Sequence, residues 1–284
     1  MTDLPHDAEH FVGRYAPRAT PALAGRPRVP TLADSLAHFR RLPGMPAMLE
    51  GLGPGCRCLL QGCTAPTNAA ALQRFLDRPQ GRQVTVTAVD LLDLPTIYER
   101  LGWPIPPMRF VRTDARALGA HFAPGSFDLV VQDFLLNCAP PAEAPALLAA
   151  ARQMLGPGGL LLLSITDSTG LHPLPAIPAA TFAARHGVPW RPEARDLAAL
   201  LPDPERRAAL LAGLAERVVL GADGEEATLI TAPHGRFEFF VPIARTLALL
   251  AAAGFELLLR DREQGSDDHG LECSRWRCLA RAVG

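Results

Sequence analysis

Between Gly125 and Asp167 the chain reads GSFDLVVQDFLLNCAPPAEAPALLAAARQMLGPGGLLLLSITD. Phe127 to Gln132 reads as a buried strand and is followed by a short polar corner at Asp133 to Asn137. An Ala/Leu-rich helical run comes next, stopped by Gly156-Pro157-Gly158-Gly159, and Leu160 to Ile165 is again apolar throughout. Strands apolar on both faces and joined through a helix predict a parallel sheet covered by helices. Open sheets of this kind bind ligands outside the carboxyl ends of their strands. Gln132, Asp133 and the residues after Ile165 therefore fall where chemistry is expected.

The same patterning extends to both sides. Leu32, Leu36, Phe39 and Leu42 recur at helical spacing, and a second short helix is expected over Pro46 to Leu52. Cys56 to Gln61 predicts a short buried strand, and Gly62-Cys63-Thr64-Ala65-Pro66 a turn. Thr67 or Asn68 is placed to cap a helix running to Leu76. Val84 to Val89 is the next strand, closed by Asp90. Pro95 to Leu101 is helical, and Arg109 to Arg112 is a third strand, ended by Thr113-Asp114. Later, Pro242 to Ala253 predicts a helix stopped by Gly254, and Phe255 to Arg260 and Trp276 to Ala282 the last two strands. The loop between those strands is too short for a crossover helix, so the pair must be antiparallel. Residues 168–233 break the order with Pro-rich loops, helical runs at Ala194 to Leu201 and Pro204 to Ala215, and a hairpin around Ala222-Asp223-Gly224. They leave from strand ends where a ligand would sit and read as a lid. The expected organisation is a helical cap (1–53), a core (54–167), a lid insertion (168–233) and the end of the core (234–284). The fold class is α/β, a three-layer sandwich on a mostly parallel seven-stranded sheet.

Composition changes this picture little. Hydrophobic residues make up 48% and charged residues 20% of 284, with a formal net charge of −1. All 28 basic residues are arginine, and they are scattered. With balanced charge, no basic stripe and 6% aromatic residues, nucleic acid is not an expected partner. No run approaches the roughly 20 apolar residues of a membrane span. MTDLPHDAEHF lacks a basic stretch leading into an apolar one, so no secretory signal is expected. The six cysteines (56, 58, 63, 138, 273 and 278) form no C-x-x-C pair, which argues against a zinc ribbon and for a reducing, cytoplasmic setting. No metal is expected.

Six segments in fixed order carry a resemblance: LLQGCTAP, VTVTAVD, RFVRTDA, GSFDLVVQDFLLN, LGPGGLLLLSI and the closing LLAAAGFELLLRD with RWRCLARA. Together they resemble the class I S-adenosylmethionine-dependent methyltransferases, over about residues 54–167 and 234–284. The resemblance implies a Rossmann-like fold with an antiparallel last strand and S-adenosyl-L-methionine as cofactor. It assigns Asp90, with Leu91 beside it, to the ribose hydroxyls, and Asp114, with Ala115, to the adenine amino group. Gln132 and Asp133 would lie near the methionine part and the methyl donor, with Gly62, Cys63 and Thr64 forming the first loop. That loop departs from the family pattern. Leu60 stands where an acid is usual, and of the glycine-rich turn only Gly62 remains. Dinucleotide binding, the competing use of this architecture, needs a G-x-G-x-x-G turn that is absent.

The function expected is methyl transfer to a small-molecule acceptor. The alternatives are a SAM-binding enzyme with other chemistry, such as internal displacement, or a non-catalytic binding protein. Candidate acceptor-side residues are Asn137, for orientation, and His172 and His234, as bases near neutral pH. His6, His10 and Tyr15 are candidates to close over the site. Trp190, Phe237, Phe239 and Phe240 could line an apolar acceptor pocket; for the phenylalanines, whose alternation suggests a half-buried strand, a core role is favoured. Either a monomer or a homodimer is compatible with the sequence.

Overall fold

The computed structural model describes residues 32–53, 55–63, 66–76, 84–172, 177–214, 217–221, 226–231, 235–266 and 272–284. Helices α1 (Leu32–Arg41) and α2 (Met45–Gly51) lead into β1 (Arg57–Gln61). There follow α3 (Pro66–Leu76), β2 (Thr85–Asp90), α4 (Leu94–Arg100), β3 (Arg109–Arg112), β4 (Phe127–Asp133), α5 (Ala144–Met154) and β5 (Leu155–His172). Next come α6 (Ala179–His186), α7 (Leu197–Leu200), α8 (Pro204–Gly213), β6 (Arg217–Gly221), β7 (Ala227–Thr231) and β8 (Arg236–Phe240). The last elements are α9 (Ile243–Ala252), β9 (Phe255–Ser266) and β10 (Glu272–Ala282).

The main sheet has seven strands in the order β3-β2-β1-β4-β5-β10-β9. The first five are parallel, and β10 runs antiparallel to both neighbours. This is the Rossmann-like arrangement with an inverted final strand. Sequence order reverses between β1 and β4, the switch point where such sheets take their ligands. Side chains alternate across each strand. One face packs Cys58, Leu60, Ala88, Val131, Leu162 and Leu279 against α1 to α4. The other packs Leu59, Val130, Leu161, Leu163 and Cys278 against α5 and α9.

Local chemistry fixes the element ends. Asp93 caps α4, its carboxylate accepting from the Thr96 amide and hydroxyl. The expected Thr67 or Asn68 cap is displaced, because α3 already starts at Pro66, whose fixed φ suits a first helical turn. Gly254 follows α9 at φ 82°, a left-handed value that favours glycine.

The insertion is larger than its expected end at 233. Strands β6, β7 and β8 form a separate antiparallel sheet, so this unit runs on through Phe240. Its small core joins Phe182, Leu197, Leu220, Ile230, Phe237 and Phe239, with Trp190 stacked at 5.3 Å from Phe237. The three phenylalanines of β8 are 1–2% exposed, as their core reading expects, and the strand is buried on both faces. Strands β5, β9 and β10 also exceed their apolar stretches. Backbone hydrogen bonds do not require apolar side chains, so the polar residues of 261–266 still pair with 272–277.

Candidate active site

Register places one transverse row of residues across the sheet, at the carboxyl ends of β1, β2 and β4 and within the longer β5 and β10. Gln61 pairs with Val89 on one side and Gln132 on the other, so Gly62 lies between Asp90 and Asp133. Asp133 pairs with Ser164, and Ser164 with Arg277. All of these share strand parity with the residues packed on α1 to α4. The Gly62 amide donates to the Val89 carbonyl at 2.9 Å and the Thr113 amide to the Asp90 carbonyl at 2.8 Å. The bend after β1, Asp90 and the turn carrying Asp114 thus adjoin one another. Gly62 has φ 76°, and a Cβ there would lie 3.2 Å from Leu135.

Asp90 accepts from the Leu92 amide at 3.0 Å. Burial pushes its carboxyl up to about 6, against the opposing pull of the Leu92 amide, the Arg236 charge and the Leu91 amide. Leu91 beside it leaves half of its apolar surface exposed, at 50%. Cys63 answers the departure from the glycine-rich turn. Its side chain is fully buried, and its thiol lies 4.0 Å from the Tyr98 hydroxyl, which donates to the Cys63 carbonyl at 3.4 Å. Burial pushes the Cys63 thiol up to about 12 and raises the Tyr98 hydroxyl as well. The Cys63 side chain is thus buried beside Tyr98, and its φ is not positive, so glycine is not required there. Thr64 lies outside the described residues.

Asp114 has its carboxylate wrapped by Arg116, which donates from its backbone amide at 2.8 Å and from Nε at 3.0 Å. The Arg116 side-chain hydrogen bonds hold this carboxyl below its usual range. Ala115 packs into the α5 face. Arg116 Nη1 also reaches Glu143 Oε2 at 3.1 Å, and Arg195 of the insertion pairs with the same oxygen. Glu143 thereby ties the turn after β3 to the insertion. Removing this tie by Glu143→Gln is expected to speed amide exchange in β8 about 5-fold, corresponding to about 1 kcal/mol, with little change in overall stability. Unchanged exchange in β8 would show that the insertion is held elsewhere.

Gln132 points to the opposite sheet face. It is fully buried and donates to Gln61 Oε1 at 2.6 Å, away from the row that holds Asp90. Asp133 faces α1, buried beside the Ser164 and Ser35 hydroxyls and the Arg277 charge; burial raises its carboxyl and these neighbours lower it. Asn137 does not offer its amide to an acceptor. Nδ2 donates to the carbonyls of Thr166 (3.0 Å) and Phe239 (2.6 Å), and Oδ1 accepts from the Thr166 amide (2.9 Å). This staple joins the corner after β4 to β5 and to strand β8 of the second sheet. His172 ends β5, with its side chain outside the described residues, as are His234, His6, His10 and Tyr15. Sequence reasoning missed Tyr98, Glu143, Arg195, Arg236 and Arg277. Each lies far in the chain from the residue it meets, and arginines are spread evenly enough to carry no local signal.

Phe134, next after β4, has φ 56°, the one positive value among the described non-glycine residues. Strain of this kind gathers at ligand sites. Among the described residues no group of three or more metal-ligating side chains is found.

The fold and the row at its switch point define a Rossmann-like methyltransferase scaffold. Residues 62–163, about a third of the chain, match the methyltransferase domain family. It is 28% identical over 138 residues to a carboxy-S-adenosyl-L-methionine synthase of Stutzerimonas stutzeri, covering 44% of this chain and 54% of that protein. The chain thus spans about half the length of this curated relative. A SAM-dependent methyltransferase from Methanosarcina mazei superposes with a TM-score of 0.54 at 16% identity, covering 84% of this chain and 97% of that one. The 1,6-didemethyltoxoflavin-N1-methyltransferase of Burkholderia thailandensis, with its substrate and S-adenosylhomocysteine bound, gives 0.53 at 16% identity, covering 100% and 92%. Among the described residues no helix is long and apolar enough to cross a membrane.

Proposed function

We propose that the chain binds S-adenosylmethionine along the Asp90–Gly62–Asp133 row and transfers its methyl group to a small-molecule acceptor. The observation that carries this reading is the convergence of the Asp90 carboxylate, the exposed Leu91 surface and the side-chain-free Gly62 at the switch point. The residues fit the group. Asp90 would accept from the ribose hydroxyls, Leu91 would offer an apolar face to the adenine, and the bend at Gly62, whose left-handed φ suits glycine, would bring its backbone beside them. When bound, S-adenosylmethionine would supply an activated sulfonium methyl. The chain's part is then chiefly positioning, which can contribute about 7–11 kcal/mol. A base adds about 10²–10⁴-fold and is needed only for a protonated acceptor.

Calorimetry with S-adenosylmethionine and S-adenosylhomocysteine tests the reading; no heat for either ligand would overturn it. A second reading, use of the same cofactor without methylation, draws on the reduced first loop and on the likeness to a carboxy-S-adenosyl-L-methionine synthase. Product analysis separates the two. S-adenosylhomocysteine should accumulate in methyl transfer, methylthioadenosine in internal displacement, and a carboxylated S-adenosylmethionine in chemistry like that of the synthase.

Binding should depend on pH through Asp90. Its carboxyl titrates at about 6 in the free protein, and the charged form is the better acceptor for two hydroxyls. Affinity for S-adenosylhomocysteine is therefore expected to be flat above pH 7 and to fall below pH 6, by at most about tenfold per unit. Asp90→Asn should flatten the profile. The same shift has the opposite sign for the empty protein. A carboxyl raised in the folded state favours folding at low pH, and this contribution is lost as pH rises from about 4 to about 6.

A further inference from the structure

Arg277 of β10 is fully buried, in register with Ser164, which is itself in register with Asp133. Its Nη2 donates to Glu263 Oε2 at 3.3 Å, and its guanidinium carbon sits 5.1 Å from the centroid of the Phe134 ring. Its Nε and Nη1, and Oδ1 of Asp133, have no hydrogen-bond partner among the described residues. Orphaned buried donors are rare in folded proteins, because an unmade hydrogen bond leaves the group's desolvation uncompensated. Asp133 and Arg277 lie near enough to perturb one another, yet no hydrogen bond joins them. A purely structural ion pair would close and satisfy both groups. Here donors and an acceptor remain uncommitted just past the carboxyl end of β4, beside a strained Phe134.

Position in the row supplies the second argument. Strands lie about 4.8 Å apart, so Asp133 is about 10 Å from Asp90 across the sheet and Arg277 about 10 Å further. A ligand anchored at Asp90 and extending over Gly62 would end near Asp133, with Arg277 beyond it. We propose that Arg277 and Asp133 form the acceptor subsite, and that it takes a small carboxylate. The carboxylate oxygens would accept from Arg277 Nε and Nη1, and a hydroxyl or amino group of the same molecule would donate to Asp133 Oδ1. The planar fork of arginine matches a carboxylate in this way. This inference rests on the cofactor placement proposed above.

The test separates the two. Wild-type protein is first titrated with S-adenosylhomocysteine; absence of binding would sink the cofactor reading. The saturated protein is then titrated with glycolate, mandelate and anthranilate and with their carboxamides. At least one carboxylate should bind saturably, at least 10-fold tighter than its carboxamide. Arg277→Met should lose that binding while keeping its S-adenosylhomocysteine affinity. Arg277→Lys, which keeps the charge but not the fork, should fall between. With S-adenosylhomocysteine bound normally, three results would overturn the subsite: no carboxylate binding, equal binding of carboxylate and carboxamide, or undiminished binding in Arg277→Met. The carboxamide contrast needs no variant, so it decides the matter even if Arg277→Met does not fold.

Discussion

Asp90→Ala is expected to weaken S-adenosylhomocysteine binding about 100-fold, or about 2.7 kcal/mol. The carboxylate would make charge-assisted hydrogen bonds to two ribose hydroxyls, and such bonds are worth about 1.5–3 kcal/mol each when a charged partner is involved. The effect should appear in binding and not in folding. Burial has already raised this carboxyl to about 6, so the free protein holds a charge that it would fold more easily without. Asp90→Asn retains an acceptor for the Leu92 amide while removing that charge. Its unfolding midpoint at pH 7 should be at or above that of the wild type, although its affinity is lower. Isothermal calorimetry and denaturant unfolding read the two sides. An Asp90→Ala protein with undiminished affinity would remove the ribose from this strand end.

Asn137→Ala is expected to destabilise the fold by about 3–5 kcal/mol, a large share of the 5–15 kcal/mol typical of a domain. The side chain satisfies the Thr166 amide and the carbonyls of Thr166 and Phe239 in a buried setting. Its loss strands those backbone groups, at about 1–3 kcal/mol each. It also cuts a link between the core and β8, so the second sheet should loosen along with the loss of stability. Equilibrium urea unfolding measures the first effect and amide exchange in β8 the second. If Asn137 instead oriented an acceptor, the variant would keep its stability and lose only turnover. That outcome would refute the staple.

The sheet was legible because its strands are apolar on both faces and alternate with helical runs, a pattern that fits a helix-covered parallel sheet. The acids that close β2 and the turn after β3 were legible for the same reason: a polar residue ending an apolar run marks a strand end. Gln132 and Asp133 show where this reading stops. As neighbours they looked like one feature, but alternation sends them to opposite faces, Gln132 to Gln61 and Asp133 to α1. Cys63 shows the converse. In sequence it breaks a glycine-rich turn, and only the fold reveals that its side chain is buried beside Tyr98.

The sequence by itself determined the order of the elements, the inverted last strand and the carboxylate at Asp90, because short-range apolar periodicity and loop length decide these. Tertiary structure alone decided the rest of the site. Glu143 meets Arg195, and Asp133 comes into register with Ser164 and Arg277, across gaps of 52, 31 and 144 residues (195 − 143, 164 − 133 and 277 − 133). Such meetings are set by strand register and by the packing of the insertion, which no local pattern encodes.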